Sequence, residues 1–246
     1  MKVHATAIVD PSAQVAGDVE IGPYCIVGPG VRIGAGTRLV ARVIVTGPAE
    51  IGERNVLHPN VVIGSAPQIP GPFRPGGRIE IGHDNVFREA VTVNLPAAPG
   101  GATRIGSRNR FHSCANIGHD CTVGDDVVLG SFSALGGAAA VGDRAWIEGS
   151  GGADAGVSVG RGGWIQSHCN AVADVPPFMG VGGDATGIRG VSPLFRTPAL
   201  ERAFETVWAS GLPRAEALER LEQEKDADVA ELLAFLRRPA REAALE

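Results

Sequence analysis

Histidine is the residue type in this 246-residue sequence best suited to chemistry, and the sequence contains six of them. An imidazole can bind a metal ion, or it can accept and release a proton near neutral pH. A zinc site needs at least three protein ligands converging on one point, whereas proton transfer needs a single imidazole beside the reacting group. The six are His4, His58, His83, His112, His119 and His168. Which chemistry is open to them depends on how the fold brings them together.

A six-residue repeat runs from Val3 to Ala171, more than two thirds of the sequence. Most positions in this phase are Val, Ile or Leu, and two more are Phe. Neither a helix nor an alternating strand has a period of six, and a hexapeptide repeat is typical of a parallel β-helix. Three hexads, about 18 residues, would close one coil, with coils about 4.8 Å apart. Each hexad has a second inward position for a small residue, and the frequent Gly after the aliphatic residue is expected to turn the corner.

Two segments rich in Pro and Gly interrupt the repeat, at residues 65–78 and 95–103. Both are predicted to project as loops, where binding residues often concentrate. The hexads stop after Pro177, and residues 178–197 are expected to be irregular. From Pro198 the pattern predicts three short helices, the third capped by Asp226 and followed by Pro239. We therefore expect a β-helix over residues 1–190 and a small helical subdomain over residues 191–246.

The repeat argues against a metal site. His4, His58 and His112 share one slot of the hexad but follow each other at intervals of nine hexads, which corresponds to three coils, or roughly 14 Å. Cys25, Cys121 and Cys169 occupy the small inward slot and are expected to pack inside the coil, whereas Cys114 is out of phase and is expected outside or at a corner. The cysteine spacings match no zinc motif, so no metal and no disulfide is predicted.

Charge and hydropathy argue against a nucleic-acid-binding, membrane-spanning or secreted protein. The net charge of −5 gives no general electrostatic reason to bind nucleic acid. No apolar run approaches the roughly 18 residues that span a bilayer. The first hexad begins at Val3, which leaves no room for a signal peptide. A cytoplasmic protein without membrane insertion is expected.

The sequence around His119 resembles a known enzyme family. Residues 115–124, Ala-Asn-Ile-Gly-His-Asp-Cys-Thr-Val-Gly, are similar to the motif Asn-Ala-His-Ile-Ala-His-Asp-Cys-x-Val-Gly of the UDP-N-acetylglucosamine O-acyltransferases that begin lipid A biosynthesis. Further likeness lies at residues 21–29, 80–93, 173–178 and 182–186, and it covers nearly all of residues 5–190. The resemblance implies a left-handed β-helix that forms a homotrimer, with active sites between adjacent subunits.

The resemblance also implies residue roles. The second histidine of the motif, which aligns with His119, would remove the proton from the sugar 3-hydroxyl as that oxygen attacks the thioester of acyl carrier protein. Asp120 would orient or stabilise the imidazole, and the backbone N–H of Gly137 would bind the oxyanion. The transfer is direct, so no cofactor is implied.

Several positions depart from the family pattern. Asn116, Ala138 and Asp154 replace histidines, Asn94 replaces the histidine of a His-Arg-Gly segment, and the first loop retains only the glutamine, Gln68. Arg189 and Arg196 lie near the position of a basic pair for the nucleotide phosphates. Ser167 aligns with the residue that limits acyl-chain length, and because it is larger than glycine it suggests a shorter pocket. The candidate substrate-binding residues are Gln68, Asn94, Asn116, Asp154, Ser167 and Arg189.

Two alternatives remain open at this point. One is a paralogue that acylates another sugar or an amine, and the other is a catalytically silent trimeric binding or scaffold protein in which His119 is a relic. Arg104, Arg108 and Arg110 are either a carrier-protein contact or a solvated outer face. Outward apolar residues, among them Trp146, Trp164 and Phe132, are expected to be covered by neighbouring subunits.

Overall fold

The computed structural model describes residues 2–74, 76–183 and 187–238. Within these residues, short strands stack in parallel into three sheets that form the sides of a β-helix, and the chain ends in helices. We call the sheets A, B and C, and the corners that follow them AB, BC and CA. The parallel β-helix predicted from the hexads is confirmed, with helices after residue 197 as expected.

The strands are numbered in chain order. Sheet A contains β1 (Lys2–Val3), β4 (Glu20–Ile21), β7 (Arg38–Leu39), β10 (Val56–Leu57), β13 (Val86–Phe87), β16 (Arg110–Phe111), β19 (Val128–Leu129), β22 (Trp146–Ile147), β25 (Trp164–Ile165), β27 (Met179–Val181) and β28 (Ile188–Val191). Sheet B contains β2 (Ile8–Val9), β5 (Ile26–Val27), β8 (Ile44–Val45), β11 (Val62–Ser65), β14 (Thr92–Asn94), β17 (Asn116–Ile117), β20 (Ala134–Leu135), β23 (Gly152–Ala153) and β26 (Asn170–Ala171). Sheet C contains β3 (Gln14–Val15), β6 (Val31–Ile33), β9 (Ala49–Ile51), β12 (Arg78–Ile81), β15 (Ala102–Ile105), β18 (Thr122–Val123), β21 (Ala140–Val141) and β24 (Ser158–Val159).

The strand register shows how the two loops are accommodated. Most stacked partners are three hexads apart along the chain, as for Leu39 and Leu57. Leu57 stacks on Phe87, which is five hexads further along, and Phe87 stacks on Phe111, which is four hexads further. The first loop therefore inserts the length of two hexads and the second the length of one, so the hexad phase survives both. The loops are shorter than predicted, because Ser65, Arg78, Ala102 and Thr103 belong to strands.

The aliphatic phase lines the core of the β-helix. Ile33, Val45, Ile117 and Leu129 are all at most 3% exposed, and Cys25, Cys121 and Cys169 are buried beside them as predicted. The first coil is more open, with Val3 42% exposed, because among the described residues it is stacked on one side only, against β4. Pro99 is in phase but exposed, since it lies in the second loop. Of the apolar residues expected to face outward, Trp146 and Trp164 are half-buried within one chain, whereas Phe132 is 68% exposed.

The expected role of the glycine after the aliphatic residue is seen at Gly64, with φ 96°, and was wrong at the other described glycines that follow an aliphatic residue of the repeat. Left-handed backbone angles occur two residues later, for example at Asp120 with φ 59°. The glycine is required by close approach instead. A β-carbon on Gly22 would lie 1.8 Å from the carbonyl oxygen of Val40 in the next coil, and one on Gly118 would lie 2.6 Å from that of Leu135.

The stacked sheet extends beyond the last hexad, which ends at Pro177. β27 pairs in parallel with β25, and β28 returns antiparallel to β27, so residues 178–197 are not wholly irregular. The helices are α1 (Pro198–Phe204), a π-helical segment (Glu205–Ala209), α2 (Arg214–Leu221) and α3 (Ala227–Leu236), with Asp226 capping α3 as predicted. Pro239 lies outside the described residues.

The helices share a second apolar core with the end of the β-helix. Phe178 and Met179 pack there with Leu200, Leu221 and Leu232 from the three helices. Arg161 of the β-helix adds hydrogen bonds to Asp228 (2.6 Å) and Glu231 (2.7 Å) of α3, and its guanidinium lies over the ring of Phe178. The helical segment is thus packed firmly against the last coils.

Candidate active site

The BC corner collects most of the residues that the sequence singled out. Both loops leave the β-helix at this corner, between β11 and β12 and between β14 and β15. His119 and Asp120 lie one coil beyond the second loop, Gly137 lies in the next coil and Asp154 in the one after that. The loops therefore flank the column of corners that carries His119.

His119 is held by its sequence neighbour. Its Nδ1 lies 2.8 Å from Oδ2 of Asp120, and the two side chains are 23% and 30% exposed. An ionised carboxylate accepts hydrogen bonds and does not donate them, so Nδ1 carries the proton and Nε2 presents its lone pair. No described residue hydrogen-bonds to Nε2. This arrangement suits a general base that takes a proton at Nε2.

The second loop fixes Asp120. The backbone N–H of Ala97 donates to the same Oδ2 at 2.9 Å. The N–H of Asp120 itself donates to Oγ1 of Thr103 at 2.9 Å. A β-carbon on Gly101 would lie 2.8 Å from Oδ1, so that only a glycine leaves room for the carboxylate. The carboxylate is therefore positioned by backbone atoms of the loop, and by its own left-handed corner conformation.

Gly137 lies directly against the imidazole. A β-carbon at this position would be 2.2 Å from Nε2 and 2.4 Å from Cε1 of His119. The residue in the same slot of the next coil is Ala155, whose side chain offers no acceptor. The N–H of Gly137 has no hydrogen-bond partner among the described residues. A backbone donor next to the base can bind an oxyanion.

Asn116 and Asn94 form a polar network beside this site. Nδ2 of Asn116 donates to Oγ1 of Thr92 (2.7 Å) and to Oδ1 of Asn94 (3.3 Å). Asn94 is buried, and its amide donates to Oγ of Ser65 (3.0 Å) and to the carbonyl of Ala66 (2.9 Å). The side-chain oxygen of Asn116 accepts no hydrogen bond from the described residues. It is thus available to a ligand at the end of sheet B.

Three other candidates are placed on this corner without side-chain contact to His119. Asp154 is exposed, and its Oδ1 accepts a hydrogen bond from Asn170. Ala138 donates its N–H to the carbonyl of His119 at 2.7 Å and has a left-handed φ of 58°. Gln68 is exposed in the first loop.

Ser167 and Arg189 lie elsewhere in the same chain. Ser167 is at the AB corner, where its hydroxyl and N–H both donate to Oε2 of Glu148 (2.8 and 3.0 Å). Arg189 is in β28 and donates to the carbonyl of Gly182 (3.3 Å). Neither residue can contact His119 within one chain. Ser167 lies at the AB corner and Arg189 on sheet A, whereas His119 lies at the BC corner.

A shallow groove of about 680 Å³ runs along sheet A beside Ser167. Its walls include Val128, Trp146 and Leu194. Glu148 forms part of the lining and also accepts a hydrogen bond from the Trp164 indole at 2.9 Å. Partial desolvation acts to raise the pKa of Glu148, but the hydrogen bonds from Ser167 and Trp164 outweigh it and hold that pKa below its usual value. Glu148 is therefore an anion at neutral pH.

The three arginines considered for carrier-protein contact do not form one patch. Arg104 lies on sheet C and donates to Glu80 at 2.9 Å. Arg108 lies at the CA corner between Asp125 and Asp126. Arg110 lies on sheet A. Arg196, at the start of the helical segment, lies 3.5 Å from Glu201.

The coil count used for the histidines needs correction. Because the loops lengthen two coils, only Arg88 stands between His58 and His112 in their column, so these two histidines are two coils apart and not three. His58 lies 3.5 Å from Glu89. The described residues contain no group of three or more His, Cys, Asp or Glu side chains arranged to hold a metal ion.

The thiol nearest the site is not a nucleophile. Burial raises the pKa of Cys121 to about 12, and its Sγ lies 3.1 Å from the carbonyl of Gly136. At neutral pH it remains a thiol.

Sequence reasoning missed Thr103 and the N–H of Ala97, both of which hold Asp120. It also missed Glu148 as the partner of Ser167. A hydroxyl in an inward column that is otherwise apolar was the one available signal for Thr103. None of the described helices is both long and apolar enough to cross a membrane.

Comparison with known proteins agrees with this geometry. Residues 1–35 match the family model described as bacterial transferase hexapeptide (six repeats). An acyl-[acyl-carrier-protein]–UDP-N-acetylglucosamine O-acyltransferase of Syntrophobacter fumaroxidans is 37% identical, over 96% of each chain.

Solved structures give the same result. The chain is similar to UDP-N-acetylglucosamine O-acyltransferase of Moraxella catarrhalis, with a TM-score of 0.89, 32% identity and 96% of each chain covered. It is also similar to a UDP-N-acetylglucosamine acyltransferase of Bacteroides fragilis, with a TM-score of 0.91, 26% identity and coverage of 96% and 97%. The left-handed β-helix expected from the resemblance is confirmed by these neighbours. The chain therefore belongs to the UDP-N-acetylglucosamine O-acyltransferase family.

Proposed function

We propose that this protein transfers an acyl chain from acyl carrier protein to the 3-hydroxyl of UDP-N-acetylglucosamine, the first step of lipid A biosynthesis, with His119 as the general base. The observation that carries the role of His119 is the orientation of its imidazole. Asp120 engages Nδ1, and Nε2 lies against the backbone of Gly137 without a hydrogen-bond partner among the described residues. The base and the proposed oxyanion donor thus belong to adjacent residues of one corner, as acyl transfer requires.

The reaction consists of two proton transfers and one acyl transfer. Nε2 of His119 takes the proton of the sugar hydroxyl while its oxygen bonds to the thioester carbon. The carbonyl oxygen becomes an oxyanion, to which Gly137 donates its N–H. When the C–S bond breaks, the imidazolium returns the proton to the leaving sulfur. The products are the sugar ester and the free thiol of the carrier protein, and no external redox agent or metal enters the balance.

Asp120 has an electrostatic role in this scheme. Its carboxylate stabilises the imidazolium that forms when His119 accepts the proton. Two further hydrogen bonds, from Ala97 and to Thr103, prevent it from turning away. Asn116, Gln68 and Asp154 line the same corner and are proposed to contact the sugar nucleotide. The buried Asn94 is proposed to act on it through its hydrogen bond with Asn116.

We further infer a homotrimer in which a neighbouring chain completes the site. Ser167, Arg189 and the groove on sheet A are remote from His119 within one chain, and a neighbour is needed to bring them to it. The apolar walls of the groove suit an acyl chain, and Ser167 would limit its length.

Sheet B supplies the surface for this association. Ile8, Ile26, Ile44 and Val62 stack outward in consecutive coils, with Ile8 65% and Ile26 37% exposed. Burying such a stripe against another chain removes it from water. Light scattering is expected to give three times the 25.3 kDa of one chain, and a monomer at micromolar concentration would contradict the trimer.

The deciding assay is acyl transfer from a panel of acyl carrier proteins, charged with acyl chains of different length, to UDP-N-acetylglucosamine. Transfer with at least one donor, preferably a short 3-hydroxyacyl chain, is expected. A parallel series with an amino-sugar nucleotide tests the acceptor. Absence of transfer with every donor and acceptor would contradict the proposed function.

A further inference from the structure

Thr103 occupies an unusual position behind the proposed base. Its side chain is fully buried, and its hydroxyl makes two hydrogen bonds. It donates to the carbonyl of Asn94 at 2.9 Å, and it accepts the N–H of Asp120 at 2.9 Å. We propose that Thr103 is a positioning residue that couples closure of the second loop to the alignment of the His119–Asp120 pair. This inference rests on the proposed function of His119.

The coupling follows from the two ends of the loop. Asn94 is the last residue of β14 and Thr103 is the second residue of β15, so the two residues flank the loop at residues 95–101. The Thr103 hydroxyl ties these two ends together. The loop so closed brings the N–H of Ala97 to Oδ2 of Asp120 and Gly101 to its Oδ1. One side chain therefore anchors both the backbone of Asp120 and the loop that holds its carboxylate.

Packing alone does not call for a hydroxyl here. The inward column of the BC corner is otherwise apolar among its buried members, which are Val31, Ala49, Ile79, Cys121, Ala139, Val157 and Val175. Valine has nearly the shape of threonine and would fill the same space, but it can neither donate to Asn94 nor accept from Asp120. The hydroxyl serves hydrogen bonding and not volume.

The test compares Thr103→Val with Thr103→Ser. The valine variant is expected to lower kcat about 10- to 100-fold, because small displacements of a catalytic group have effects of this size. KM for both substrates is expected to change much less than kcat. The acidic limb of the pH–rate profile is expected to move to lower pH, since a displaced Asp120 stabilises the imidazolium less. Thr103→Ser keeps the hydroxyl and is expected to restore most of the rate and the profile.

The matched control is Thr37→Val. Thr37 is also fully buried in an inward slot, at the CA corner, where its hydroxyl donates to Gly52 and accepts the N–H of Asn55. Its loss is expected to lower thermal stability about as much as that of Thr103, but to leave kcat and the pH–rate profile unchanged. Equal kinetic losses in both valine variants, or a wild-type rate and profile in Thr103→Val, would overturn the proposal.

A second readout separates this inference from the proposed function. In protein labelled with ¹⁵N-histidine, with the His119 signals assigned from a His119→Gln variant, wild type is expected to show a proton on Nδ1. Thr103→Val is expected to shift the balance toward Nε2, while Thr37→Val leaves it unchanged. If wild type transfers no acyl group, the proposed function fails and this spectrum alone decides whether Thr103 positions the imidazole. An unaltered imidazole spectrum in Thr103→Val would then overturn it.

Discussion

The BC and CA corners are built from the same hexads but treat their backbone N–H groups in opposite ways. At the CA corner, four successive N–H groups are each capped by a side chain of the next coil. The N–H of Glu53 donates to His83 (2.9 Å), that of His83 to Ser107 (3.0 Å), that of Ser107 to Asp125 (2.8 Å), and that of Asp125 to Asp143 (2.8 Å). At the BC corner the same slot holds His119, Gly137 and Ala155, and the N–H of Gly137 is uncapped by the described residues.

The interior of the CA corner is tied in the same way. Its buried slot carries Thr37, Asn55, Asn85 and Asn109, each side chain accepting an N–H from the following coil at 2.7–3.2 Å. Side chains thus accept many of the N–H groups of the CA corner, although Nδ2 of the buried Asn109 has no hydrogen-bond partner among the described residues. The comparison shows that an N–H in this slot is capped only where the next coil places an acceptor side chain against it. No such side chain lies against Gly137, beside His119.

Removing the imidazole is expected to have the largest effect. His119→Ala deletes the proton acceptor, a loss typically of about 10²–10⁴-fold in rate. Its side chain lies outside the core, so thermal stability is expected to change little. The measurement is kcat in the acyl-transfer assay, with a melting curve for the fold. A variant with the wild-type rate would place the base elsewhere.

Converting the BC corner toward the CA pattern tests the comparison directly. Ala155→Asp places a carboxylate one coil beyond Gly137, in the slot that Asp143 occupies relative to Asp125. The new side chain is expected to accept the N–H of Gly137 and to repel the oxyanion. Loss of one oxyanion donor costs about 10²–10³-fold in kcat. Ala155→Leu is the control for bulk alone, and equal losses in both variants would show that capping is not the cause.

A methyl group on Gly137 is expected to have a somewhat smaller effect. Because its β-carbon would lie 2.2 Å from Nε2, Gly137→Ala must displace the imidazole, which is expected to cost about 10²-fold in kcat. The matched control is Gly17→Ala, in the same slot of the first CA corner, where no atom lies within 4 Å of the new carbon. The idea fails if the two variants have the same kcat.

Removing a cap from the CA corner is expected to affect stability and not rate. Asp125→Ala leaves the N–H of Ser107 without its acceptor and Arg108 with fewer partners. The site is partly exposed, so the expected loss in the free energy of unfolding is about 1 kcal/mol. Denaturant titration measures this loss, while kcat is expected to remain that of the wild type. A fall in kcat at constant stability would contradict the separation of the two corners.

Acid is expected to loosen the CA corner first. Hydrogen bonds from Ser107 and Arg108 lower the pKa of Asp125, and Arg54 lowers the pKa of Asp84. A carboxyl whose pKa is lowered by folding contributes stability above its unfolded value, near 4, and loses it as the pH falls through the folded value. Protection factors from hydrogen exchange, which correct for the slower intrinsic exchange in acid, are therefore expected to fall at residues 82–85 and 124–127 as the pH is lowered from about 4. An equal loss of protection at residues 136–139 of the BC corner would count against this difference.

Much of the fold was predictable because the pattern of buried residues repeats every six residues along the chain. The hexads identified the inward residues, including the three buried cysteines. Their interruptions identified the two loops, and the change of pattern located the helices that begin at Pro198. The loops preserved this phase only because each inserts a whole number of hexads. The reason given for the recurring glycine slot failed, since the constraint at Gly22 is a carbonyl in the next coil and not its own backbone angle. The count of coils between His58 and His112 failed for a similar reason, because stacking depends on the lengths of the inserted loops.

The candidate site was predictable only in part. The resemblance pointed to His119, Asp120 and Gly137, and the structure brings these three together. It could not indicate that Ser167 and Arg189 lie away from the BC corner of their own chain. Nor could it indicate that Thr103 and Ala97 hold Asp120. Those contacts join residues 17 to 23 positions apart.

The sequence by itself determined the β-helix, its inward face and the residue types available at each corner. Hydrophobic burial has no preferred direction and needs only the right phase, so a period of six was sufficient. The tertiary structure decided which N–H groups are capped, which nitrogen of His119 faces Asp120, and where the second loop closes. Hydrogen bonds depend on distances within a few tenths of an ångström and on angle. Their partners here come from neighbouring coils, whose register is set only when the whole stack has formed.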